Sequence, residues 1–268
     1  TPATALFFLK AARPDRLKDA PGGAQYLNEA AATVERGKVV FADTCARCHS
    51  SKGPPSPAPY PASCQGAGYL DCFKAYWKRT QTDEFKEQMR KVVQAPDFLD
   101  DNYLSSDARI PVTLLRTNAC SPLATNALGG NIWDNFSSQS YKQLPSVGTV
   151  TLYDPFTGDP MPYQMPAGGR GYTRVPSLIG LWSTGPYLLN NSVGPFDSSP
   201  SVAARMKVFQ ASIEQMLWPE KRERDSVLGN KIPGTIDRTT ERSKVTIPSG
   251  YLPEAARPLE GTLHRWLP

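Results

Sequence analysis

The sequence predicts a mainly α fold with long irregular loops. Three observations predict it. The chain has 268 residues, 40% hydrophobic and 21% charged, which is ordinary globular composition and excludes a wholly disordered chain. It carries 26 prolines, about twice the usual share, and proline cannot donate to a β-ladder. Convincing periodicity is confined to three stretches, and each repeats at helical spacing.

The length suits one large domain or two small ones and is enough to bury a core without depending on disulfides. We expect a single domain over 1–268, with large loop insertions at 50–70 and 97–165 and an irregular tail at 226–268. The apolar run Ala5–Leu9, ended by Lys10, falls short of the ~18–20 residues that cross a bilayer, so no transmembrane segment is expected. The start Thr1-Pro2-Ala3-Thr4 lacks a signal peptide's basic region and long apolar region, as in a mature chain or a fragment. The net charge of +5 permits an acidic partner but has no basic block to indicate nucleic acid.

The first periodic stretch has Leu27, Ala30 or Ala31, Val34 and Phe41 near helical spacing, weakened by Gly37. The Pro- and Ser-rich run after Ser50 predicts a stiff surface loop. Residues 71–94 predict a helix in two parts. The second part has Phe85, Met89, Val92 and Val93 on one face, Thr82 as N-cap, and Asp83, Glu84 and Glu87 near its start. Residues 97–165 predict mostly loop. A helix over 199–217 follows from Val202, Met206, Phe209, Ile213 and Leu217. Ser198 or Ser199 would cap it, Pro200 suits its first turn, and Pro219 stops it.

The motif that decides the chemistry is Cys45-Ala46-Arg47-Cys48-His49. This is C-x-x-C-H, the attachment pattern of a c-type haem. Thiols three positions apart on a helical turn reach the two vinyl groups of one porphyrin, and the next residue offers its imidazole to the iron. A thioredoxin-like redox pair would need a βαβ setting, and a zinc site would need more ligands at matching spacing. The pattern occurs once, so one covalent haem c is expected, held by Cys45, Cys48 and His49.

Two segments carry a family resemblance. The run from Arg36 through Cys45-Ala46-Arg47-Cys48-His49 to Ser51 resembles the helix and haem site of bacterial c-type cytochromes. The stretch Val175-Pro176-Ser177-Leu178-Ile179-Gly180-Leu181-Trp182-Ser183-Thr184-Gly185-Pro186-Tyr187, continuing to Val193, resembles one found in the bacterial di-haem cytochrome c peroxidase superfamily and in rubber-cleaving di-haem oxygenases. Together the resemblance spans about 36–50 and 165–222, roughly a quarter of the chain. It implies a cytochrome c-like haem domain similar to the electron-transfer domain of that superfamily. The family's enzymes carry two haems, this chain has one C-x-x-C-H, and Leu189 stands where the family often has histidine.

The resemblance implies a methionine sixth ligand on the helix after this stretch, which makes Met206 the candidate. Met165 and His264 are alternatives, as is an open iron. Arg174 or Arg170 would hold a haem propionate, since a guanidinium suits a carboxylate. Trp182 fits core packing or a haem edge, and Asp154–Asp159 fits a turn better than a calcium loop. Haem c implies maturation outside the cytoplasm, where Cys64 and Cys72 can pair, leaving Cys120 over. The functional expectation is a periplasmic or extracellular mono-haem c-type cytochrome serving a redox partner protein by one-electron transfer. The alternatives are a peroxidase- or oxygenase-like haem enzyme, and a haem subunit of a larger multihaem or membrane-associated assembly.

Overall fold

The computed structural model describes residues 2–11, 13–55, 63–115, 138–154, 157–188, 193–222, 229, 231, 254 and 255. Its described part is mainly helical, with two small two-stranded sheets. Helix α1 spans Pro2–Ala11, with Leu6 and Phe7 exposed. No described helix is long and apolar enough to cross a membrane.

Helix α2 (Ala31–Thr44) leads into the motif. Leu27 and Ala30 precede it and Val34 is exposed, so the expected stripe narrows to its last two turns. There Ala42 is buried and Phe41 meets Phe98 edge-on at 6.1 Å. Gly37 has open space around it, so that face has nothing to pack against. Helices α3 (Tyr69–Arg79) and α4 (Asp83–Gln94) form the predicted two-part unit. Thr82 caps α4 by accepting from the Phe85 amide at 3.3 Å, with Asp83 and Glu84 in the first turn, where the helix dipole favours acids. Asp43 accepts both forks of Arg90 at 2.7 and 2.6 Å and fastens α2 to α4.

The core lies among α2, α3, α4 and the first sheet. Tyr69, Phe73 and Tyr76 of α3 meet Phe85, Met89 and Val93 of α4, and Tyr69 stacks on Phe73 at 5.8 Å. Cys64 and Cys72 lie at disulfide distance, with Cα atoms 5.5 Å apart, and tie the chain before α3 to its first turn.

The segment 97–165 is less irregular than expected. It holds β1 (Arg109–Pro111), α5 (Val112–Leu115), α6 (Gln139–Lys142), β2 (Thr149–Tyr153) and β3 (Pro160–Gln164). Strand β1 pairs antiparallel with β4 (Tyr172–Arg174), Ile110 opposite Thr173. Strands β2 and β3 form a hairpin from Thr149↔Gln164 to Tyr153↔Pro160. Pro160 and Pro162 are two positions apart, so their missing N–H groups fall on one edge, where a two-stranded hairpin tolerates them. Asp154 Oδ1 accepts from the Thr157 amide at 2.8 Å, the side-chain bond of a turn and not of a cation loop.

Helix α7 (Val202–Leu217) is capped by Ser201, which accepts from the Ala204 amide, and not by Ser198 or Ser199. Pro200 therefore lies outside the helix. Its buried face is also not the predicted one. Val208 and Ser212 are buried against Gly185 and Gly194, whereas Val202, Met206, Phe209 and Ile213 are half-buried and Leu217 is exposed. A Cβ on Gly185 would meet Val208 Cγ1 at 2.8 Å, so glycine there lets the loop lie on the helix. Val193 and Tyr187 complete this second buried cluster, which is separate from the main core. Cys120, His264 and nearly all of the 226–268 tail lie outside the described residues.

Replacing Cys64 and Cys72 together by Ser should lower stability by about 2–3 kcal/mol on the loop-entropy account. Urea denaturation of the oxidised protein measures it. Equal stability with and without the pair would show that the link contributes nothing.

Candidate functional site

The motif forms the turn that ends α2. The Phe41 carbonyl accepts from the amides of Cys45 and Ala46, both at 2.9 Å. The Cys45 carbonyl accepts from Cys48 at 3.1 Å and His49 at 2.9 Å. Helical turn geometry therefore sets Cys45 and Cys48 one turn apart on one side, with His49 beside them.

The two intervening residues are turned toward α3. Ala46 is buried. Tyr76 donates its hydroxyl to the Arg47 carbonyl at 2.6 Å, and the Arg47 guanidinium lies 4.7 Å from the Trp77 ring centre. Cys45 and Cys48 are half-buried free thiols. Burial pushes the Cys48 thiol up to about 11, against the pull of Arg47 and with a smaller push from Cys45.

His49 Nδ1 lies 3.1 Å from the Pro176 carbonyl. A carbonyl only accepts, so Nδ1 carries the proton and Nε2 is the nitrogen left to bind a metal. Burial holds the His49 pKa below its ordinary value, with the Pro176 and Leu104 carbonyls pulling it back up. The ring thus rests as a neutral imidazole, the form that ligates metals.

The acceptor segment is itself fixed. Ser105 donates to the Val175 carbonyl at 2.7 Å, Ser177 to the Tyr103 carbonyl at 2.6 Å, and the Leu178 amide to the Leu104 carbonyl at 3.2 Å. Apolar side chains in the elements that meet the turn are left uncovered: Val40 is 55% exposed, Tyr103 68% and Ile179 42%.

The other candidates lie on other elements of the fold. Arg174 is an exposed residue of β4 at 3.4 Å from Asp107. It lines a cavity of about 350 Å³ together with Arg47, Tyr76, Phe85 and Met89. Cys45, Cys48 and His49 are not among the walls of that cavity, which therefore lies on the Ala46–Arg47 side of the turn. Met206 sits half-buried on α7, which reaches the turn through the segment that touches His49 at Pro176 and Val208 at Gly185. Met165 is 2% exposed, with its methyl over Gly171 beside Val147, so its thioether is spent on core packing. Trp182 is half-buried and donates to the Asp15 carbonyl at 2.8 Å, and Arg170 is half-buried.

Sequence reasoning missed Tyr76 and Pro176 as parts of the site. Pro176 lies within the stretch that carries the resemblance, but a backbone acceptor leaves no mark on residue type. Among the described residues no group of three or more His, Cys, Asp or Glu side chains is placed to hold a metal ion. An all-protein zinc site of the usual kind needs four such ligands. Compared with protein-family models, curated proteins and solved structures, the chain matches none.

Replacing Tyr76 by Phe removes the donor to the Arg47 carbonyl and leaves the ring in place. A loss of about 1 kcal/mol is expected, read from the denaturant midpoint at unchanged m-value. An unchanged midpoint would mean that the turn is held without this bond.

Proposed function

We propose that this chain is a mono-haem c-type cytochrome that transfers single electrons outside the cytoplasm. The observation that carries the proposal is the His49 ring. Its Nδ1 proton is spent on the Pro176 carbonyl, which leaves Nε2 as the nitrogen without a proton, and Cys45 and Cys48 in the same turn are free thiols. In this reading Cys45 and Cys48 would hold the porphyrin through two thioether bonds, a thiol addition that needs no net oxidation. When bound, haem c supplies an iron that alternates between ferric and ferrous states.

The chain's own residues do the rest. Cys45 and Cys48 hold the ring, and His49 binds the iron through Nε2. The Pro176 carbonyl orients the imidazole and raises its basicity. Val40 and Ile179 are exposed apolar side chains in elements that meet the turn, and covering them would be worth about 25 cal/mol per Å² removed from water. Met206 is the proposed sixth ligand. It lies in the apolar stripe that α7 leaves half-buried, whereas Met165 is committed to the core. Arg174, exposed on β4 beside Asp107, is the proposed partner of a haem propionate. The Cys64–Cys72 pair supports a periplasmic or extracellular location. The net charge of +5 suits an acidic redox partner, alone or within a multihaem or membrane-associated assembly.

The ligand set is tested by three variants of the matured protein. Met206→Ala should convert a low-spin spectrum to high-spin and lower the potential, because a thioether favours ferrous iron. Met165→Ala and His264→Ala should leave the spectrum unchanged. A silent Met206→Ala with a shift in either of the others would remove Met206 from the iron. Silence in all three would mean an open iron and favour a peroxidase- or oxygenase-like enzyme.

A further inference from the structure

Asn102 is buried at the centre of a hydrogen-bond hub immediately behind the motif. Its Oδ1 accepts from the Ser51 amide at 3.1 Å, the Ser51 hydroxyl at 3.1 Å and the Leu104 amide at 3.0 Å. Its Nδ2 donates to the Ser50 hydroxyl at 3.2 Å and to the Phe98 carbonyl at 3.1 Å. The two backbone N–H donors fix which amide atom is the oxygen. Ser50 and Ser51 directly follow His49, and the 103–104 backbone binds the 177–178 segment next to the His49 acceptor. Both the histidine and its acceptor are thus referred to one side chain.

The backbone around Asn102 explains why such a hub is needed. Asp101 has φ 52° and Leu104 φ 47°. Non-glycine residues in the left-handed region are strained and persist only where the surroundings over-determine them. The Asn102 bond to the Leu104 amide supplies part of that determination.

We propose that Asn102 is a positioning residue for His49, fixing the ring against the Pro176 carbonyl and thereby setting the potential of the bound iron. The inference rests on the haem reading of the same site. The mechanism has a definite sign. A firm Nδ1–H bond to a carbonyl makes the imidazole a stronger donor and favours ferric iron. Loosening it raises the potential.

The test compares the matured protein with Asn102→Ala, Asn102→Asp and, as a control destabilised in the core, Phe73→Leu. Covalent haem is checked first by mass. Two readouts follow: the midpoint potential, and the exchange rate of the His49 Nδ1 proton by NMR of the reduced protein. Asn102→Ala should keep its haem, exchange the proton about tenfold faster, the scale of one lost hydrogen bond, and show a raised potential. Asn102→Asp keeps the acceptor for the Ser51 and Leu104 amides and should restore most of both values. Phe73→Leu should lose stability and change neither. The inference is overturned if Asn102→Ala loses stability with neither readout moved, or if Phe73→Leu moves both as much. A wild-type chain without haem would overturn the haem reading instead, and proton exchange in that haem-free chain would still decide whether Asn102 holds the ring.

Discussion

The site depends on one long-range hydrogen bond, from His49 Nδ1 to the Pro176 carbonyl, which joins positions 127 residues apart. It fixes the imidazole's tautomer, and tautomer decides which nitrogen can serve a metal. Both ends need support, and the fold supplies it from opposite directions. The Asp43–Arg90 fork holds the end of α2 on α4, and Tyr76 holds the turn by its Arg47 carbonyl. Ser105 and Ser177 pin the residues on either side of Pro176.

The distribution of packing fits this arrangement. The well-filled core lies behind the turn, where Ala46 joins Phe73, Tyr76, Phe85 and Met89. Val40, Tyr103 and Ile179, in elements that meet the turn, stay exposed, and α7 buries Val208 and Ser212 while its apolar stripe is half-buried.

Much of this was legible in the sequence, for identifiable reasons. The Cys45, Cys48 and His49 trio is visible because its five-residue motif is contiguous in the sequence and falls in one turn. The α4 cap at Thr82 is visible because cap, acidic first turn and apolar face coincide. Other features carry weaker marks. Strands β1 and β4 have three residues each, too few to show a period, and pair across more than sixty positions. The cap of α7 shifted to Ser201 because Ser198, Ser199 and Ser201 all satisfy the same rule. Its buried face was misassigned because glycine opposite Val208 and Ser212 makes close approach possible without hydrophobic periodicity. Asn102 and the Pro176 carbonyl act through polar bonds that only the folded chain brings together.

The central claim is that Cys45 and Cys48 carry a haem whose iron is held by His49. Acid–acetone extraction of the protein, matured in a host that attaches haem outside the cytoplasm, addresses it most directly. The account predicts that the haem absorbance stays with the polypeptide, one haem per chain, on the proteolytic peptide containing residues 45–49. Haem passing into the acetone phase, or a colourless polypeptide with two titratable thiols at Cys45 and Cys48, would contradict it.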